Sequence, residues 1–547
     1  MKNKVFLKIS LFLIIFGTVL FLPFIGEKEF QGEEGRRVLL ALQMLETKEF
    51  LFPKLFGEPY FLKPSGYNWF LALWFFLTKD FSEFTARASS AFIIILTSLV
   101  LTWFWIKILR KEGFDKEGPA LSLLPFLPGL IFLTIPEVID KGLRAEIDGF
   151  YTFLVTTGIF SWFYFYELTK RRCLGFLLWG IFMGFSVLTK TFHALLFFYL
   201  AWIPYLFYFK KLKELFTFPH FLGIGITLGI FGIWFFFSLG FDLNLFSAWL
   251  GEYKDALSGA EVSLGEHFEF FTLGFLTGYA PWIFVLFLFK DPGFIQVFLK
   301  KHPNFFKLII FSLFLFMFSY MFHFFSLGAR LRYMLPAIGG LVFISAIGFL
   351  YLIVYKKEIL NRSLRIFVKL LPWILAALGV MFLGYLILRK FYYWEALVVV
   401  WVLIIGSLAF GFRFWKKVSY QGFLWFLVFC VFSVKQVYAA FYYSYHKEKV
   451  DYFRKASQNL VLAVGKGEVI YLCEEAPHHL IYYGKYKYKT LDFKYLKPCD
   501  KRLIFELKDR WVLLSKKRFE SLGLNEKDFK IFQILPVRKK VYLLVKP

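Results

Sequence analysis

Long apolar runs separated by short basic segments fill the first 445 residues of the chain. A helix rises about 1.5 Å per residue, so about 20 apolar residues cross a hydrocarbon core about 30 Å thick. The pattern therefore predicts an α-helical polytopic membrane protein with about thirteen transmembrane helices. Their approximate bounds are Val5–Phe24, Ala86–Leu109, Ala120–Ile135, Asp148–Tyr166, Leu174–Leu188, Ala194–Phe209, Phe221–Phe241, Gly274–Phe289, Leu308–Phe325, Leu335–Tyr355, Leu371–Leu388, Ala396–Phe410 and Phe423–Tyr442.

The positions of lysine and arginine predict the orientation of these spans. With the N-terminus in the cytoplasm, the basic groups at 110–111, 170–172, 210–213, 300–307, 356–369 and 413–417 all fall on one side. Cytoplasmic loops carry such an excess of positive charge. The prediction is a transmembrane domain over residues 1–445, whose first extracytoplasmic loop covers residues 25–84. An odd number of spans places residues 446–547 outside as well.

The first loop has a helical pattern of its own. Val38, Leu39, Ala41, Leu42 and Leu45 recur at helical spacing, which predicts an amphipathic helix lying along the bilayer surface. The apolar segment 67–77 is too short to cross the membrane, so we expect it to be interfacial or re-entrant.

The last hundred residues change character and predict a small soluble α/β domain. Short strand-like runs occur at 469–472, 502–505, 511–514 and 541–544, and polar helical or turn segments separate them. Cys473 and Cys499 both lie in this region, and an extracytoplasmic location permits a disulfide between them. Their spacing alone does not require one.

Composition supports the membrane interpretation. The chain is 59% hydrophobic and 23% aromatic, with a mean hydropathy of +0.60 and a formal net charge of +26. Because the basic residues cluster between apolar runs, we attribute the charge to membrane orientation and anionic lipid substrates rather than to nucleic-acid binding. The sequence has neither a phosphate-binding Walker loop nor a glycine-rich dinucleotide fingerprint, so no nucleotide cofactor is expected.

Ionisable residues at the start of the first-loop helix are the first candidates for chemistry. Glu33 and Glu34 are candidate catalytic groups, able to act as a base, orient an acceptor or ligate a divalent metal. Arg36 and Arg37 follow them, and Lys63 lies further along the loop; such cations suit an anionic substrate. The alternative is that these side chains only solvate the loop and contact lipid headgroups.

Further candidates lie at the predicted outer ends of later spans. Asp148 is a third catalytic candidate, Glu146 lies two residues before it, and an i,i+4 ion pair with Arg144 is the structural alternative for Asp148. Substrate-binding candidates are Lys190, Arg330 and Arg332, for which interfacial anchoring is the alternative. Glu252 and His267 form a weak metal signature, because their loop lacks a complete ligand set.

The first loop also resembles that of a known family. Glu33-Glu34-Gly35-Arg36-Arg37, Gly57-Glu58-Pro59-Tyr60 and Lys63-Pro64 are similar to the Asp-Glu-x-Arg-Tyr, Gly-Glu-Pro-Tyr and Lys-Pro-Pro motifs of one superfamily. It comprises the lipid A aminoarabinose transferases, the protein O-mannosyltransferases and the galacturonic-acid transferases of lipopolysaccharide. This chain departs from the pattern with Glu33 for Asp, Arg37 for Tyr and Ser65 for the second Pro.

The resemblance implies an integral-membrane, inverting glycosyltransferase of the C-type fold in a bacterial inner membrane. Its active site and C-terminal domain would face the periplasm. It would transfer a sugar from a polyprenyl-phosphate donor to an outer-leaflet acceptor, which the resemblance suggests is lipid A or lipopolysaccharide core. Glu33 matches the family's catalytic aspartate, and Arg36 and Lys63 match its donor-phosphate contacts. An acidic residue also recurs in the family at the outer entrance of the fourth span, and Asp148 fits it better than Glu146. Three alternatives remain: protein O-glycosylation; from another class, a transporter or flippase for a lipid-linked sugar; and a scaffold for envelope assembly whose terminal domain binds partners.

Overall fold

The computed structural model describes residues 3–51, 54–55, 58–60, 63–114, 123–239, 244, 247, 251, 263–356, 358–359, 361–388, 394–449, 451–474, 478–525, 529–537 and 540–546. Helices dominate this part of the chain. The α-helices are α1 Asn3–Phe21, α2 Glu34–Thr47, α3 Gly66–Thr78, α4 Glu83–Lys111, α5 Leu127–Leu133, α6 Pro136–Gly142, α7 Ile147–Trp162, α8 Arg172–Lys190, α9 His193–Tyr208, α10 Phe218–Leu239, α11 Leu264–Glu269, α12 Phe275–Tyr279, α13 Pro303–Phe324, α14 Ile338–Tyr351, α15 Arg362–Leu388, α16 Trp394–Lys416, α17 Tyr420–Lys449, α18 Tyr452–Val464, α19 His478–Ile481, α20 Lys501–Glu506 and α21 Lys516–Ser521.

Shorter turns of other helical types extend or connect them. The 3₁₀ segments are Leu124–Phe126, Leu212–Phe216, Trp282–Lys290 and Leu331–Ala337, and the π segments are Phe163–Leu168, Phe270–Gly274, Gly293–Leu299, Leu352–Lys356 and Tyr482–Lys487. The strands are β1 Lys54–Leu55, β2 Glu58–Pro59, β3 Glu468–Leu472, β4 Leu491–Tyr495, β5 Trp511–Ser515, β6 Lys530–Val537 and β7 Lys540–Lys546.

The polytopic helical fold is confirmed. Within the described residues, eight helices are long and apolar enough to cross a membrane, and a ninth span results if the segments Leu264–Tyr279 and Trp282–Lys290, bent by 93°, are one span. Each predicted span overlaps a helical segment, but several of these are short, such as His193–Tyr208. The number thirteen stays a prediction. The predicted short segment 67–77 forms α3, which has 13 residues.

Small residues allow some spans to pack closely. A Cβ atom added at Gly180 of α8 would lie 2.6 Å from the carbonyl oxygen of Gly223 on α10. No side chain fits there, so the two backbones approach directly, as is common between membrane helices. Across the bundle, Trp105, Trp162 and Trp282 are fully buried in the main apolar core.

The C-terminal region contains a five-stranded sheet in the order β4-β3-β5-β7-β6. Strand β3 is parallel to β4 and β5, whereas β7 is antiparallel to β5 and β6. The predicted strand at 502–505 is wrong, because these residues belong to α20, whose N-terminus is capped by Asp500 through the backbone N–H of Leu503 at 2.8 Å. Cys473 and Cys499 form a disulfide.

The C-terminal domain is anchored to the first loop by a buried polar cluster. Arg454 of α18 donates to Glu83 at 2.6 Å and 3.0 Å, and Lys487 donates to the same carboxylate at 2.8 Å. Glu29 accepts the backbone N–H groups of Phe453 and Arg454 at the start of α18. The two regions are therefore held together by hydrogen-bonded charges and not by apolar contact alone.

We predict that Arg454→Ala lowers the free energy of unfolding by about 3–5 kcal/mol, because it leaves the buried Glu83 carboxylate without its main partner. The measurement is thermal or denaturant unfolding of the purified protein in detergent. Arg502→Ala is the control, because the Arg502–Glu506 pair is exposed on the same domain and should contribute less than about 1 kcal/mol. Equal losses in the two variants would contradict the anchoring role.

Candidate functional site

One cavity of about 390 Å³ collects most of the predicted site residues. It lies where the first loop meets the ends of α7 and α8 and the 3₁₀ turn before α14. Eight of the eleven candidates line it, and so do four other residues. The lining residues are Glu33, Arg36, Arg37, Tyr60, Lys63, Glu146, Ile147, Asp148, Lys190, Arg330, Arg332 and Tyr333.

Local backbone geometry presents the first-loop residues to this cavity. Helix α2 begins at Glu34, so Glu33 is its N-cap residue, and Arg36 and Arg37 lie in the first turn. Gly32, just before, has a φ of +59°, and a Cβ atom there would come within 3.2 Å of Glu146 Oε1. Glycine adopts this conformation without strain. The chain can therefore turn at Gly32, so that the residues after it line the cavity.

A network of ion pairs joins the residues of the cavity near the start of α7, the end of α8 and the 3₁₀ turn before α14. Lys190, the last residue of α8, donates to Asp148 at 2.7 Å, and Arg332 Nη1 lies 3.4 Å from Glu146 and 3.9 Å from Asp148. Lys141 lies 3.5 Å from Glu146. Burial raises the pKa of the Glu146 carboxyl even though Lys141 and Arg332 oppose the shift, and the nearby Asp148 charge adds to it.

Glu33 differs from the other two carboxylates of the cavity. It lies 3.3 Å from Arg36 and 3.5 Å from Arg37, yet its side chain is 40% exposed, whereas that of Asp148 is 7% exposed. Six basic and three acidic side chains line the cavity, so its charge is net positive. The arrangement suits an anionic ligand next to one accessible carboxylate.

Glu34 lies outside this cavity. Its carboxylate accepts from Arg87 of α4 at 2.7 Å and 2.9 Å, from the backbone N–H of Ala145 at 3.0 Å and from that of Gln31 at 2.8 Å. Burial disfavours the charged form, but Arg87 outweighs it and holds the pKa of the Glu34 carboxyl below its usual value. All its contacts serve to join segments of the protein.

Of the two metal candidates, His267 belongs to the described residues and Glu252 lies outside them. The Nε2 atom of the buried His267 is 2.7 Å from the carbonyl oxygen of Phe324. In the described part of the chain, no group of three or more His, Cys, Asp or Glu side chains is placed to hold a metal ion.

Sequence reasoning missed several neighbours of the site. Glu146 was passed over in favour of Asp148, although both line the cavity. The structural alternative for Asp148, an ion pair with Arg144, does not form: α7 begins only at Ile147, and Arg144 instead contacts Asp140 at 2.8 Å. The sequence does not indicate the role of Arg87, because no residue of its own helix predicts an ion pair with Glu34, which lies 53 residues earlier in the chain.

The chain is similar to undecaprenyl phosphate-alpha-4-amino-4-deoxy-L-arabinose arabinosyl transferases. It is 28% identical to that of Aeromonas salmonicida over 190 residues, which is 34% of this chain and 32% of the relative. It is 27% identical to that of Pectobacterium carotovorum subsp. carotovorum over 221 residues, which is 40% of this chain and 37% of the relative. The matches thus span about a third of the length of these relatives. No protein-family profile matches the chain.

Its structure is similar over nearly the whole chain to ArnT from Cupriavidus metallidurans bound to undecaprenyl phosphate. The TM-score is 0.70 with 14% sequence identity, covering 98% of this chain and 97% of that one. The apo structure of that protein gives a TM-score of 0.68. The fold expected from the first-loop motifs, that of C-type integral-membrane glycosyltransferases, is therefore confirmed.

We predict that Glu34→Gln lowers the free energy of unfolding by about 3–5 kcal/mol, because the buried Arg87 guanidinium loses its charged partner. Glu33→Gln, one residue earlier, is the matched control. The ion pairs of Glu33 are partly exposed and should contribute less than about 1 kcal/mol. Thermal unfolding of both purified variants tests this difference. A stable Glu34→Gln protein beside an unstable Glu33→Gln protein would reverse the two assignments.

Proposed function

We propose that the protein transfers a sugar from a polyprenyl-phosphate donor to an anionic glycolipid acceptor, with lipid A or lipopolysaccharide core as the acceptor class. The observation that carries the proposal is the cavity in which six basic side chains surround the accessible Glu33 carboxylate. The similarity to arabinosyl transferases that use undecaprenyl phosphate supports the donor class.

The basic side chains bind the phosphate of the donor and neutralise its charge. Transfer of the sugar leaves a polyprenyl phosphate, whose negative charge must be neutralised as the glycosidic bond breaks. Arg36 and Lys63, on the first loop, and Arg330, at the start of the 3₁₀ turn before α14, are the cations we assign to it. Lys190 and Arg332 are instead engaged with Asp148 and Glu146, so we assign them to holding these acids in place.

Glu33 acts on the acceptor oxygen. If the acceptor is a phosphate group, its oxygen already carries charge and Glu33 orients it; if it is a hydroxyl, Glu33 removes its proton. In either case the acceptor oxygen attacks the anomeric carbon from the face opposite the leaving phosphate, which inverts the configuration. Asp148, fixed by Lys190, lies in the same cavity and holds the sugar or the acceptor. If the reaction requires a divalent ion, Glu33 is the carboxylate that would act as its ligand.

We place the protein in the bacterial inner membrane, with the cavity and the C-terminal domain on the periplasmic side. The multi-span fold supports a membrane location, and the basic segments at 170–172 and 210–213 support this orientation. A transporter of lipid-linked sugar is the alternative of another class. It would move its substrate without making a new glycosidic bond, and protein O-glycosylation would give a protein product.

We predict a graded loss of sugar transfer at saturating donor. Glu33→Gln should abolish transfer and Asp148→Asn should impair it strongly, whereas Glu34→Gln should be milder per folded molecule. Glu33→Asp should retain activity, because it keeps the carboxylate with a shorter reach. The assay incubates purified protein with polyprenyl-phosphate sugars and lipid A and detects the product by mass spectrometry. Normal transfer by all three amide variants, or no covalent product from the wild type, would overturn the proposal.

We predict that residues 25–84 and 445–547 face the periplasm, while 170–173 and 210–217 face the cytoplasm. Single cysteines introduced at exposed positions of these segments, in a background without Cys173 and Cys430, should differ in labelling by a membrane-impermeant maleimide in whole cells. Labelling of positions 33 and 210 from the same side would contradict this topology.

A further inference from the structure

A second, mainly apolar space lies apart from the catalytic cavity. It is a groove of about 590 Å³ between α6, the bend that joins α12 to the next 3₁₀ segment, α15 and α17. Ile139, Leu375, Leu427 and Val431 are among its apolar lining residues. The side chain of Val434 in the same groove is 56% exposed, so the groove opens to the surface of the helical bundle. On a membrane helix, that surface faces lipid.

One ammonium group lies in this groove. Lys435, on the spanning helix α17, is only 6% exposed, and its hydrogen bond goes to the amide oxygen of Gln436 at 3.4 Å. No carboxylate of the described residues lies within ion-pair distance of it; Asp140, which shares the groove, is 2.9 Å from Lys141 and 2.8 Å from Arg144. A lysine inside a membrane span is costly, and such residues usually mark a binding site or a pathway.

The groove is apolar at one end and polar at the other, as an amphiphilic molecule is. From Leu427 to Tyr438 it follows α17 for roughly 16 Å, at about 1.5 Å per residue. The Leu427 end is apolar, and Lys435 and Tyr438 lie at the other end. That polar end is on the same side of the bundle as the first loop, because Tyr442, one turn further, accepts a hydrogen bond from Lys28 at 3.0 Å.

We propose that this groove binds an anionic phospholipid of the surrounding bilayer. Its phosphate accepts hydrogen bonds from Lys435 and Tyr438, and one acyl chain lies along α17 toward Leu427. A phosphate supplies the counter-charge that the ammonium otherwise lacks. The long lysine side chain extends toward the polar end of the groove while its methylene groups stay among apolar neighbours.

This site is separate from that of the donor. The groove shares Asp140, Leu143 and Tyr438 with a smaller cavity of about 70 Å³, which Glu34 and Arg87 also line. Among the described residues, neither space shares a lining residue with the catalytic cavity. A lipid phosphate at Lys435 therefore occupies a position of its own, and the inference does not depend on the proposed reaction.

The test measures lipid retention by native mass spectrometry. Purified, delipidated protein in a nonionic detergent is titrated with phosphatidylglycerol, and separately with phosphatidylcholine and with undecaprenyl phosphate. We expect one tightly held phosphatidylglycerol, weaker phosphatidylcholine, and a ten- to hundredfold loss of phosphatidylglycerol affinity in Lys435→Met, the effect of losing a charge-assisted hydrogen bond. Lys435→Arg should keep the preference.

Two further variants separate this effect from misfolding and from general surface charge. Lys369→Met removes a lysine of α15 that lies over the Trp415 ring outside the groove, and should leave the affinity unchanged. Val434→Trp fills the groove from an exposed position and should reduce retention with Lys435 intact. Equal affinity of wild type and Lys435→Met, equal retention of the two phospholipids, or retention of undecaprenyl phosphate alone would overturn the proposal.

Discussion

The ion pair between Glu34 and Arg87 is the interaction on which the geometry beside the candidate site depends. Arg87 also donates to the carbonyl oxygens of Ile25, Lys28 and Glu29, and Glu34 also accepts the N–H of Ala145. One buried pair thus connects three segments: the residues at the start of the first loop, the first residue of α2 and the residues just before α7. Burying two charges costs much solvation energy, so the pair contributes more to a defined arrangement than to stability.

The fixed loop sets the electrostatic character of the cavity beside it. Glu33, one residue before Glu34, lines the cavity, whereas Glu34 is paired with Arg87 outside it. Arg36 and Arg37 then lie near Lys63, Arg330 and Arg332, and like charges at this density repel one another. Asp148 and Glu146 relieve part of the repulsion. The cavity keeps a net positive charge, which suits an anionic ligand.

The sequence predicted the helical bundle and most of the cavity lining because both depend on local signals. Apolar runs and basic segments identify spans, and the first-loop motif identifies Glu33, Arg36 and Lys63. Partners distant in sequence gave no such signal: Asp148 meets Lys190 across 42 residues and Glu34 meets Arg87 across 53. At 502–505, a short apolar run was read as a strand, since such runs do not distinguish strand from buried helix. Asp500, a good helix N-cap, was the overlooked signal.

The contact between Glu83 and Arg454 also has a consequence for how the protein is made. The two residues are separated by 371 positions, and Phe30 donates to Tyr483 across 453. At roughly 5–20 residues per second, the ribosome adds Arg454 about 20–75 s after it has added Glu83. During that time the carboxylates of Glu29 and Glu83 lack the hydrogen-bond donors that the C-terminal domain supplies. The Glu83 carboxylate therefore gains this partner only after the last helices of the bundle have been synthesised.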